Sequence, residues 1–255
     1  MLYIPTIGYS GADSFSYIIS DGNGNISTGN VDINVMAIMP YTATTPSPWY
    51  IIGLANGGWN NSAGGLGVSI YPLSVVSGNS YNLAGNGLFT FTGYFQASKG
   101  FKLINVLGNW DIQWGMSGST YVKNNGGSGN ITVPADGYYT ITLNSITDNL
   151  TIVPALVTPT LYSSMSLSGD FNGWSSTATP MAPAESTNNH IWYAQITITS
   201  AGGIKFNNNN WANSWGDTTF PLGIGTNGGP NIPITAGTYT AIFNDIDGCY
   251  YFMKQ

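Results

Sequence analysis

Apolar and polar residues alternate over short stretches of this chain, and nowhere do they keep a helical period. Phe15–Ile19 and Val31–Val35 alternate on either side of D-G-N-G-N, which predicts two strands joined by a hairpin turn. From Trp49 to Pro154 the pattern predicts seven or eight short strands with no helix of consequence. W-Y-I-I-G opens this stretch, Leu88–Phe95 alternates strictly, F-K-L-I follows, and Y-Y-T-I-T-L-N and L-T-I-V-P close it across S-I-T-D-N. Short strands between glycine-rich turns indicate an antiparallel sandwich. The same order recurs from Met165 to Lys254.

That recurrence is a repeat of about one hundred residues. F-K-L-I-N-V-L-G-N-W-D-I-Q-W-G at Phe101–Gly115 and I-K-F-N-N-N-N-W-A-N-S-W-G at Ile204–Gly216 share an apolar-Lys-apolar start, an asparagine-bearing turn and W-x-x-x-W-G. Upstream, G-G-W at Trp59 matches N-G-W at Trp174. Downstream, N-I-T-V-P-A-D-G-Y-Y from Asn130 matches N-I-P-I-T-A-G-T-Y from Asn231. The expected fold is all-β: tandem antiparallel β-sandwiches of immunoglobulin-like kind without significant helix. Expected boundaries are 1–38 for a partial N-terminal domain, 39–48 for a linker, 49–156 for the first sandwich and 157–255 for the second.

Composition narrows the function. Of 255 residues only 16 are charged, 5 Lys+Arg against 11 Asp+Glu, whereas Gly, Asn, Ser and Thr abound and aromatic residues reach 13%. This suits an extracellular all-β protein with a hydroxyl and amide surface. A net charge of −6 with so few cations supplies no row of donors for phosphates, so nucleic acid and anionic membranes are poor partners. No apolar run approaches the ~18 residues of a membrane span, and the first residues lack a signal peptide's pattern. A single cysteine, Cys249, excludes an internal disulfide and reads as a packed strand thiol.

Catalysis finds little support. His190, the only histidine, lies in T-N-N-H beside a strand and reads as a surface or cap residue. No Ser-His-Asp order, G-x-S-x-G or zinc spacing can be assembled. Carboxylates for glycoside hydrolysis would have to come from Asp111, Asp170, Glu185 or Asp217, none of which matches between the copies. Asp21, Asn23 and Asn25 alternate as calcium ligands would, but the completing glutamate is missing and a turn explains them. No enzyme, cofactor or metal is expected.

The duplicated constellation suits a neutral sugar. Pyranose rings offer apolar C–H faces edged by hydroxyls, so a site for them joins aromatic platforms to amide or ammonium groups. Candidate residues are Lys205, Asn207, Asn208, Asn210, Trp211, Trp215 and Trp174 in the second copy, with Lys102, Trp110, Trp114 and Trp59 in the first. Residues four apart on a strand share a face, so Trp110 with Trp114 and Trp211 with Trp215 are candidate pairs. The competing reading is sandwich core. Trp49 and Trp192 read as core, Trp59 and Trp174 are open between core and surface, and one member of each W-x-x-x-W is expected to be buried.

G-D-F-N-G-W at 169–174, the I-K-F…W-A-N-S-W-G stretch, G-T-N-G-G-P-N-I-P-I-T-A-G-T-Y-T at 225–240 and the closing F-N-D-I-D-G-C-Y-Y-F resemble the C-terminal carbohydrate-binding modules of the SusE and SusF type of outer-membrane starch-binding lipoproteins. The resemblance covers about 49–255. It implies non-catalytic binding of starch or another α-glucan at the bacterial surface through aromatic rings and a neighbouring basic or amide side chain. Where members of that family often carry an arginine after K-F, this chain has Asn207 and Asn208, or Ile104 and Asn105.

Residues 1–37 resemble the C-terminal half of a bacterial immunoglobulin-like or cadherin-like domain in Y-x-P, D-S-F-x-Y, S-D-G-x-G and V-x-V. Half a sandwich cannot bury its inner face. The chain is therefore expected to be part of a longer protein, or to borrow strands from other copies of itself as a subunit of a fibre or adhesin.

Overall fold

The structure, a computed structural model, describes residues 11–35, 39–40, 49–54, 58–75, 80–81, 87–124 and 126–255. Among these the fold is all-β, and the only helical pieces are three-residue 3-10 turns at Ala63–Gly65 and Asp170–Asn172.

Gly11–Ser20 and Ile26–Val35 form an antiparallel hairpin in unbroken register from Gly11 opposite Val35 to Ser20 opposite Ile26. Its turn is closed by the Asp21 carboxylate, which accepts from the Asn23 and Asn25 amides and from Asn25 Nδ2, while Gly22 and Gly24 take positive φ. The acidic and amide residues of D-G-N-G-N thus serve the turn itself. Tyr17, Ile18, Ile19 and Ile26 are exposed and Phe15 is half-buried. Of the expected linker, Met39–Pro40 pairs with Ser80–Tyr81. Residues 41–48 lie outside the described residues.

The first copy folds as two sheets. A five-stranded one runs Thr120–Lys123, Gln113–Ser117, Lys102–Ile104, Tyr50–Ile52, Ile70–Pro72. A four-stranded one runs Asn149–Pro154, Gly137–Asn144, Leu88–Phe95, Ser74–Val75. Strict alternation turns Phe89, Phe91 and Phe95 inward to meet Ile141, Leu143, Leu103 and Trp114. The strands outnumber those legible in the pattern because several span two or three residues, too few to carry a period.

In the second copy the equivalent strands join into a ten-stranded sheet, because Pro180–Pro183 pairs both with Met165–Gly169 and with Ile191–Ile198. Phe206 stacks on Phe243 with centroids 4.4 Å apart, in a core with Trp192, Trp215 and Phe252. Each copy has a tyrosine tied to the preceding turn: Tyr139 donates to the Ala135 carbonyl at 2.9 Å, and Tyr239 bonds Thr235 Oγ1 at 2.9 Å.

The copies also pack on each other. Ala184, Ile191 and Ile242 of the second join the core of the first, and Asn244 Nδ2 donates to the Thr92 carbonyl at 2.7 Å. His190, expected at the surface, is 2% exposed. Its Nδ1 meets Asp245 and its Nε2 lies 2.9 Å from Tyr138 Oη of the first copy, so it is an interior polar link between copies. Cys249 begins the last strand and is half-buried, and burial pushes its thiol well above the ordinary range.

Candidate functional site

In each copy one tryptophan from an early loop meets one from the loop after the lysine strand. Trp59 and Trp110 have ring centroids 6.2 Å apart with planes inclined at 47°. Trp174 and Trp211 repeat this at 6.2 Å and 41°. Trp59, Trp110 and Trp211 are 42%, 36% and 40% exposed, and Trp174 is half-buried.

Both pairs sit on strands that can tolerate a ring above them. In the first copy Gly53 ends the strand Tyr50–Ile52 at φ +96, and a Cβ there would lie 2.7 Å from Cη2 of Trp59. In the second, a Cβ on Gly203 would lie 3.4 Å from Cζ2 of Trp174. One ring of each pair is also tethered by its N–H. With the Asn61 amide oriented to suit both partners, its oxygen accepts from Asn109 N (3.3 Å) and Trp110 Nε1 (3.1 Å). Asp170 Oδ1 accepts from Trp174 Nε1 at 2.9 Å.

The second tryptophan of each W-x-x-x-W belongs elsewhere. Trp114 and Trp215 are 4% and 7% exposed and face the cores. The rule that residues four apart share a face fails here because Trp110 and Trp211 stand in loops, whereas Trp114 and Trp215 stand in the strands Gln113–Ser117 and Ser214–Gly216. Trp215 lies edge-on to Tyr162 at 5.4 Å. Neither ring is a surface platform.

The lysines diverge. Lys102 is buried, and its ammonium donates to Gln113 Oε1 (2.6 Å), Ser128 O (3.0 Å) and Ser128 Oγ (2.9 Å), which fills all three donor positions. Lys205 is half-buried, and its ammonium has no ion pair or hydrogen bond among the described residues. Ser214 replaces Gln113 in register with this strand, and a Cβ added to Gly216 would come within 3.2 Å of the Lys205 Cε.

The asparagine run builds the loop that carries Trp211. Asn207 is fully buried: its Nδ2 donates to Ser168 Oγ at 2.6 Å and its Oδ1 accepts from Asn209 N at 2.8 Å. It supports the loop from beneath and cannot meet a ligand. Half-buried Asn208 accepts from Asn213 N at 3.1 Å, and exposed Asn210 accepts from Ala212 N at 2.9 Å. These are side-chain-closed turns of the sort asparagine favours, and of the two Asn210 is the exposed one.

Gly53, Gly203 and Asn61 were not singled out from the sequence, and Asp170 was weighed there only as a carboxylate for hydrolysis, not as a partner of a tryptophan. The four-residue spacing of Asp170 and Trp174 in G-D-F-N-G-W was the available signal. A cavity of about 300 Å³ lies between the copies, lined by residues such as Tyr71, Phe91, Asp217, Cys249 and Tyr250, and no tryptophan borders it.

A Bacterial Ig domain family model, Big_9, matches residues 1–34. No curated protein matches the chain. Among solved structures, SusF from Bacteroides thetaiotaomicron aligns over 96% of this chain and 58% of its own, with 16% identity and a TM-score of 0.31. The chain therefore spans 58% of the length of that protein, and a likeness of this degree bears on neither site nor activity.

Proposed function

We propose that the chain is a non-catalytic binder of neutral polysaccharide, α-glucan foremost, with one tryptophan platform on each copy. The observation that carries this reading is the repetition of the inclined pair, Trp59 with Trp110 and Trp174 with Trp211, at the same 6.2 Å separation. Rings that serve core packing alone are buried, but Trp59, Trp110 and Trp211 are exposed and Trp174 is half-buried, and the buried tryptophans of the same motif already serve the cores. Indole faces stack on the C–H faces of sugars, and few charged groups stand near to recruit a charged ligand. Planes inclined by 41° and 47° cannot both lie flat against a straight ribbon, whereas they suit a chain that turns from one residue to the next. The ammonium of half-buried Lys205 and the amide of exposed Asn210 supply donors for hydroxyls beside the second pair. The resemblance of about 49–255 to outer-membrane starch-binding modules supports the same ligand class and a place at the bacterial surface. Affinity electrophoresis through gels containing amylopectin tests the proposal: retardation is expected, and weaker retardation of Trp174→Ala, which keeps the first platform, is its counterpart.

The exposed Tyr17, Ile18, Ile19 and Ile26 of the N-terminal hairpin favour a second role that is compatible with the first. Strands from another copy laid along Gly11–Ser20 would cover them, as in strand-completed fibres. Sedimentation across a hundredfold range of concentration tests it, with a shift to larger species expected and a constant monomer contradicting it.

A further inference from the structure

The structure assigns to Asp170 the role of positioning residue for the second platform: its carboxylate pins the Trp174 indole at the inclination that makes a platform with Trp211. This rests on the reading of the pair as a sugar surface. Trp174 has φ +61, a left-handed conformation costly for a bulky residue, and such outliers persist only where the surroundings impose them. Asp170 imposes this one from two sides. Its Oδ1 accepts from Trp174 Nε1 at 2.9 Å, and its Oδ2 accepts from the Gly203 amide at 2.7 Å, bracing ring and loop against the strand Gly202–Asn207.

The strand is bare where the brace lands. A Cβ on Gly202 would sit 2.7 Å from Asp170 Oδ2, and one on Gly203 would press on Asn231 and touch the Trp174 ring. The loop itself is locked by Asn172, which accepts from Gly169 N and donates to Leu167 O, so Asp170 lies on a fixed turn. The Gly203 amide and the Trp174 indole together hold the carboxyl below the usual range, which keeps it an acceptor for both.

Among the described residues the first copy has no such brace. Ile52 and Ser168 are equivalent, since each pairs with the lysine of its neighbouring strand; Gly53 therefore matches Gly169, and Leu54 stands where Asp170 does. Leu54 is buried in the core, and Asn61 tethers Trp110 instead. Among the described residues the copies thus fix opposite members of the pair, and the second fixes its early-loop ring through a carboxylate.

The test uses the full chain with Trp59→Ala and Trp110→Ala, which leaves the second platform as the only pair. Adding Asp170→Ala is expected to weaken amylopectin binding about tenfold, the order of one lost charge-assisted hydrogen bond, at temperatures well below unfolding. Asp170→Asn has one acceptor oxygen for two donors and should fall between. On a Trp174→Ala background Asp170→Ala should cost nothing further, a non-additivity that general loosening of the fold would not produce. Unchanged affinity in Asp170→Ala, with binding lost in Trp174→Ala, overturns the positioning role and leaves the platform standing. If Trp174→Ala binds normally, the platform reading fails, and hydrogen exchange at the Trp174 indole N–H decides for Asp170: faster exchange in Asp170→Ala upholds the brace, and unchanged exchange overturns it.

Discussion

Lys102 and Gln113 meet at 2.6 Å across two neighbouring strands of the first copy, both side chains buried, a contact that Lys205 cannot reproduce because Ser214 occupies the corresponding strand position. Equivalent positions in the repeat therefore hold a structural lysine in one copy and an available one in the other. Lys102→Met strands the Gln113 and Ser128 acceptors and should destabilise the protein by about 1–3 kcal/mol. Lys205→Met should change stability by less than about 0.5 kcal/mol while weakening glucan retardation. Urea denaturation beside gel affinity separates the two; equal destabilisation by both would contradict this assignment.

Stability should fall as pH rises through neutrality. Glu185 is 8% exposed between the copies, its Oε1 has no partner, and burial pushes its pKa up to about 7, with Lys99 opposing. The folded state then holds a proton more tightly than the unfolded chain, so the contribution is complete below the ordinary value of 4.5 and is lost as pH passes about 7. At about 1.36 kcal/mol per pH unit this is on the order of 3 kcal/mol. Denaturation at pH 5 and pH 8 measures it, and Glu185→Gln should flatten the difference. A variant as pH-dependent as the parent would contradict the role of Glu185.

Trp215→Ala should cost about 3–5 kcal/mol, since the ring fills the second core between Tyr162 and Phe243. Trp211→Ala should cost far less stability and far more affinity. Calorimetric melting of the two variants checks the division, and comparable melting temperatures would argue against a buried Trp215.

Much of the fold was legible because Leu88–Phe95 and Gly137–Asn144 run eight residues each, long enough for a period of two to declare itself. Strands such as Ser74–Val75 are too short for that and exist only because neighbours pair with them. The site was legible in its residue types and less so in its partners. Trp59 and Trp174 each lie a loop away from the ring they meet, and nothing local states which loops converge. The asparagines beside Trp211 looked like hydroxyl ligands, yet the same short amides close turns, and the buried Ser168 hydroxyl that takes up Asn207 comes from a strand distant in sequence. His190 likewise read as peripheral, because its partners Tyr138 and Asp245 come from separate copies.

The claim that the inclined tryptophan pairs are glucan platforms is met most directly by affinity electrophoresis in amylopectin of the parent chain, Trp59→Ala, Trp174→Ala and the double variant. Loss of a stacking ring should cost about 1–3 kcal/mol per platform, by analogy with stacking on bases. The expected result is retardation of the parent, partial retardation of each single variant and none in the double variant, with all four melting alike. Equal mobility of the parent and the double variant in amylopectin would contradict it.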